Sequence, residues 1–144
     1  MQRIVVGVDG SPPSVEALKW AAGEAARHGA QLVAVSAWEF PFVPSGPGAG
    51  FYVGPSAEDL TAQAGRQLEL ALEQADVGSV EVARVTEYGS PARVLLDQAA
   101  SADLLVVGAR GHGGFTGLLL GSVSQQCATH AVCPTVVVPY KHKH

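Results

Sequence analysis

Five short apolar runs, each separated from the next by a segment long enough to be a helix, restrict this chain more than any other feature. They are RIVVGV, QLVAVSAW, VEVARV, DLLVVG and PTVVV. The first, second, fourth and fifth read as strands buried on both faces, whereas VEVARV alternates and has one polar face. Ser11 followed by Pro12 signals a helix cap and a first-turn proline. Beyond it Val15, Leu18, Ala22 and Ala25 mark one apolar face, and Gly29 is a natural stop. Leu60, Ala64, Leu68, Leu72 and Ala75 repeat at helical spacing in a second helix. A third starts at Ser90-Pro91 and carries Val94, Leu95 and Ala99. A fourth follows Gly121-Ser122, with Ser122 as its cap, and reaches about Ala131. Strands alternating with helices in this order predict an α/β fold. The expected form is a doubly wound, mostly parallel sheet with helices on both faces and right-handed crossovers. At 144 residues, one domain over 1–144 accounts for the whole pattern.

Charge and hydropathy narrow the function classes. The net charge is −4, and two of the three lysines, Lys141 and Lys143, sit in the last four residues. A nucleic-acid binder needs a basic face, so no nucleic-acid partner is expected. A mononucleotide remains open, because backbone amides hold phosphate without a side-chain cation. No apolar stretch approaches the roughly 20 residues of a membrane span, so no membrane partner is expected either. MQRIVVGVDGS starts on a strand-like run without a charged, cleavable leader, which predicts a cytoplasmic protein. Two cysteines, Cys127 and Cys133, would stay reduced there. Glu39 to Ser56, EFPFVPSGPGAGFYVGPS, breaks the rhythm as a lid or a disordered insertion at the ligand-bearing end of the second strand. Residues 141–144 read as a frayed tail.

The segment GARGHGGFTGLLLGS, Gly108 to Ser122, holds six glycines in fifteen residues after the apolar LLVV. Glycine is costly to order, so the segment must use its freedom. It has no lysine and therefore is not a Walker loop. Gly111 and Gly113 begin a dinucleotide fingerprint, but position 116 is Thr and the next strand offers no ribose carboxylate. A third pattern fits: Gly108-x-x-Gly111, nine residues, then Gly121-Ser122. Gly108 would end the strand where a Cβ would intrude on a ligand. Gly111 would turn the loop back, and Gly121-Ser122-Val123 would open a helix whose N–H groups favour phosphate, with donors from Ser122 and Ser124. The alternative is a glycine-rich connection followed by an ordinary serine cap.

With VVGVDGSPPS at the start, VSAW at the end of the second strand and CPTVVVP at the close, this spacing resembles the nucleotide-binding branch of the universal stress proteins. The resemblance covers the chain apart from Glu39–Ser56. It implies a five-stranded parallel sheet in order 3-2-1-4-5 with ATP between strands one and four. It implies that Asp9 holds the ribose hydroxyls near Gly108 and that the backbone around Ala37 reads the adenine edge. Gly111, Gly121, Ser122 and Val123 would bind the phosphates, with Mg²⁺ or Mn²⁺ held by phosphate oxygens and water. It further implies a homodimer through the last strand, Pro134–Tyr140. The resulting expectation is an ATP-dependent switch or sensor in the stress response, acting on a protein partner that the sequence does not name. A slow Mg²⁺-dependent ATPase and a nucleotide-free homodimeric interaction module are the alternatives.

Several residues carry two readings. Asp9 is equally a turn former after a strand. Arg110 and His112 lie where they could screen phosphate charge, Arg being a natural anion partner. No orienting carboxylate near His112 in sequence supports a general base. Cys127, His130 and Cys133 are three apart, yet Pro134 ends the helix too early for a zinc-binding face, so packing cysteines are expected.

Overall fold

The computed structural model describes residues 1–41, 52–110 and 120–140. Local chemistry explains most of the element boundaries. Ser11 has extended backbone (φ −74°, ψ 155°), as a residue before proline must, and its hydroxyl accepts from Ser14 N–H to start α1 (Pro12–His28). Gly29 ends α1 in the left-handed region at φ 63°, and its N–H donates to the Ala25 carbonyl. Ser56 and Asp59 form a reciprocal capping box at the head of α2 (Ala57–Ala75). Ser90 precedes α3 (Pro91–Ala99) without a side-chain cap bond. The fourth helix, α4 (Ser122–His130), corrects an expectation: its N-cap is Gly121, not Ser122, and no side chain caps it.

Five strands, β1 (Arg3–Gly7), β2 (Gln31–Trp38), β3 (Val82–Tyr88), β4 (Leu104–Gly108) and β5 (Thr135–Val138), form one parallel sheet in the order β3-β2-β1-β4-β5. Strand alternation divides the interior in two. Ile4, Val6, Leu32, Ala34, Leu104 and Val106 pack with Leu18, Leu68 and Leu72 of α1 and α2. Val5, Val33, Val35, Leu105 and Val107 pack with Val94 and Leu95 of α3 and Cys127 of α4. The helices therefore cover both faces. β3 is half-buried or exposed along its length, as its alternation implied. β5 departs from the expectation of burial on both faces: it is the last strand of the sheet and all four of its residues are half-buried.

At the opposite end of the sheet from the loops discussed below, Asp103 ties the start of β1 to β4. Its Oδ2 accepts from Gln2 N–H at 2.8 Å and Arg3 N–H at 3.0 Å. Those two backbone donors, Gln2 first, lower its pKa from 3.8. A depressed carboxylate pKa gives stability that is present above 3.8 and lost as pH falls through the folded value. Asp103→Asn is thus expected to destabilise the protein at neutral pH, with the difference from wild type shrinking in acid. Urea unfolding at the two pH values checks this.

Candidate functional site

In an open α/β sheet the place for a ligand is beyond the carboxyl ends of the strands, where strand order reverses. Here that place lies between β1 and β4. The last rung from β1 to β2 is Val8 N–H to the Val35 carbonyl, 2.8 Å. In a parallel ladder alternate residues turn their backbone groups to the same neighbour. Ala37, two beyond Val35, therefore aims its N–H and C=O toward β1, past the point where β1 has ended. On the other side, Ala109 N–H donates to the Val138 carbonyl of β5 at 2.9 Å, so Gly108 faces the opposite way, toward β1. Pairing of β1 with β4 runs only to Val6 and Val106. The result is a notch between Ala37 and Gly108, with Asp9 where the chain of β1 turns off.

The turn at Asp9 is tightly specified. Gly10 sits at φ 82°, a conformation L side chains rarely adopt. Asp9 Oδ1 accepts from Ser11 N–H at 2.9 Å and from the Ser11 hydroxyl. Asp9 N–H donates to Ser14 Oγ at 3.3 Å. Asp9 is thus a turn former, and the turn it fixes lies two residues beyond the end of β1.

Gly108 has a reason that sequence spacing did not reveal. A Cβ built on it would lie 2.9 Å from the Pro13 carbonyl oxygen and 3.0 Å from its carbon. The close neighbour is the first turn of α1, a different object from the ligand expected to need the space. Gly121 N–H donates to the Ala109 carbonyl at 2.6 Å, which fastens the head of α4 beside the end of β4. Gln125 N–H makes the first helical bond, to the Gly121 carbonyl at 3.0 Å. The N–H groups of Ser122, Val123 and Ser124 accordingly have no acceptor within the helix. The Ser122 side chain is exposed, and Val123 packs on the α3–α4 side of the sheet. Ser124 is only 2 % exposed, and its hydroxyl lies 3.0 Å from the carbonyls of both Ala109 and Gly121, turned inward. Arg110 is half-buried at the end of the described stretch. Gly111 and His112 lie outside the described residues, as do 42–51 of the Glu39–Ser56 loop and the tail 141–144.

Chemically, the notch offers three kinds of group. Asp9 and the Gly108 carbonyl are acceptors suited to hydroxyl donors. Ala37 sets a backbone donor beside a backbone acceptor. The head of α4 presents N–H groups and the positive end of a helix dipole to an anion.

An aromatic group beside this site went unrecognised in the sequence. Trp38 meets Tyr88 at 5.1 Å and Phe40 at 5.4 Å between ring centroids, and Phe40 meets Tyr52 at 4.9 Å. These edge-type contacts bring Phe40 and Tyr52, which flank residues 42–51, to one place. The i, i+2 spacing of Trp38 and Phe40 was the available signal. The cysteines behave as packing residues. Cys127 is fully buried and burial pushes its thiol up to about 11, while Cys133 lies beyond the end of α4. Among the described residues no cluster of three metal-ligating side chains occurs, and no helix is long and apolar enough to cross a membrane.

The universal stress protein family profile matches residues 1–139. A universal stress protein of Mycobacterium tuberculosis is 42% identical over 134 residues, covering 93% of this chain and 44% of the relative. The chain thus spans a little under half the length of that relative. Among solved structures, universal stress protein UspA from Lactobacillus plantarum superposes with a TM-score of 0.77 at 23% identity, over 95% of this chain and 97% of its own. A universal stress protein in complex with cAMP has a TM-score of 0.72 at 29% identity, over 95% of this chain and 96% of its own.

Proposed function

The chain belongs to the universal stress protein family, and from that premise we propose that the notch between β1 and β4 binds ATP and that binding makes the protein a nucleotide-dependent switch. The observation that carries the reading is the convergence of Asp9, the Ala37 backbone and Gly108 on the gap left by the short β1, with the head of α4 fastened beside it. A family member of similar fold, 29% identical, is described in complex with cAMP, which supports an adenine nucleotide as the ligand class. In this assignment Asp9 and Gly108 take the ribose hydroxyls and Ala37 takes the adenine edge. Gly111, Gly121, Ser122 and Val123 take the phosphates, with Arg110 and Ser124 at their margin. Of these, Gly121 can contribute only by releasing Ala109, since its N–H is engaged there. Mg²⁺ or Mn²⁺ would ride on the phosphate oxygens.

A second copy of the chain is assigned to the outer side of β5. Val136, Val137 and Val138 are half-buried on a terminal strand, and such a strand presents backbone groups for pairing. Two free cysteines accord with a cytoplasmic setting.

One preparation tests the reading. Protein purified without added nucleotide is sized by light scattering, then denatured, and the supernatant is separated by ion exchange with ultraviolet detection. Near-stoichiometric ATP on a dimer is expected from wild type and none from folded Asp9→Ala. No nucleotide, and no binding of added ATP with Mg²⁺, would leave an interaction module instead. Steady turnover of ATP with Mg²⁺ would favour the slow ATPase.

A further inference from the structure

The first turn of α1 does more than begin a helix. Ser11 and Ser14 are 3% and 5% exposed, and both are bonded to Asp9. We propose that Ser11 is a positioning residue: its hydroxyl and N–H together hold the Asp9 carboxylate in the orientation that receives the ribose hydroxyls. The proposal rests on the nucleotide reading above.

Three features separate this role from simple helix capping. The capping bond itself is long, with Ser14 N–H 3.4 Å from Ser11 Oγ, whereas backbone N–H bonds cluster near 2.9–3.0 Å. The hydroxyl proton is directed to Asp9, a donation that an equally good Asp cap could not make. The mount is also stiff. Pro12 and Pro13 have fixed φ, Pro12 restricts Ser11 to its extended backbone, and Ser14 Oγ bonds at once to Asp9 N–H and to the Ser11 carbonyl at 2.9 Å. The same turn abuts Gly108 through the Pro13 carbonyl. It therefore sets the distance between the two ribose-binding groups. A carboxylate whose torsions are already fixed loses less freedom when a ligand arrives.

The test compares ATP with 2′,3′-dideoxy-ATP by calorimetry on the intact chain, in wild type, Ser11→Gly and Ser11→Thr. Glycine is nearly as good a cap as serine but has no hydroxyl, so it removes the hydroxyl's bond to Asp9 and leaves only the N–H bond, while sparing the helix. Wild type is expected to prefer ATP by about tenfold or more, the usual scale for hydrogen bonds to a charged group. Ser11→Gly is expected to lose most of that preference while binding the dideoxy nucleotide as before, and Ser11→Thr to restore it. If Ser11→Gly retains the wild-type preference, or weakens both nucleotides equally, Ser11 is only a structural cap and the proposal fails while the nucleotide reading stands. If wild type binds neither nucleotide, the nucleotide reading fails and takes the proposal with it.

Discussion

Gly108→Ala is expected to melt several degrees below wild type with no nucleotide present. The added Cβ would stand 2.9 Å from the Pro13 carbonyl oxygen and 3.2 Å from Pro13 Cβ. Both belong to the rigid first turn of α1, which cannot give way as a flexible side chain would. Forcing a methyl group into such a contact costs about 2 kcal/mol, and at about 3 °C per kcal/mol for a domain of this size the melting point should fall by about 6 °C. Gly7→Ala is the control. Its Cβ would approach Leu95 Cδ1 at 2.8 Å, but that is the far end of a side chain able to rotate, so a loss under about 1 kcal/mol is expected. Thermal unfolding of the two variants, both stripped of ligand, checks the pair. If Gly108→Ala is as stable as wild type and only its nucleotide affinity falls, the glycine is there for the ligand and the packing account is wrong.

Signals carried by neighbouring residues were legible. The serine before a proline at Ser11 and Ser90, the left-handed glycine at Gly29 and the alternation of apolar runs with helical faces all located elements that the fold contains. Gly121-Ser122 is ambiguous in sequence because Gly and Ser are both acceptable caps, and their order does not say which has extended backbone. The bond from Gly121 N–H to Ala109 settles the matter by pinning Gly121 outside the helix. Bonds across long sequence separations were not legible at all. Nothing near Gly108 in the chain points to Pro13, and nothing near Asp103 points to Gln2 and Arg3. The Trp38–Tyr88 contact depends on β2 and β3 lying in register. The site falls between these cases. Asp9, Ala37 and Gly108 were each named from a motif, but the reason they share one notch is that β1 is shorter than its neighbours at this end, a property of three strands taken together.

Gly121→Asp should divide folding from binding more sharply than any other single change. Gly121 has φ −72° and ψ 169°, a backbone open to any residue, and it occupies the N-cap of α4 with no side chain bonded there. Asp is among the best N-caps and places a negative charge at the positive end of the helix dipole. The helix should therefore gain a few tenths of a kcal/mol, and the melting point of the ligand-free protein should hold or rise slightly. The same carboxylate would stand where the phosphates are assigned, capturing the N–H groups they need and repelling their charge. Like charges brought together at a binding surface cost several kcal/mol, so ATP affinity measured with Mg²⁺ should fall about a hundredfold or more. The sign of the two effects is opposite, which makes the variant hard to explain by damage to the fold. Should it bind ATP as wild type does, the head of α4 is not the phosphate site. The anion would then have to be sought among the glycines between Arg110 and Leu120, with Asp9 and Ala37 still able to hold the nucleoside.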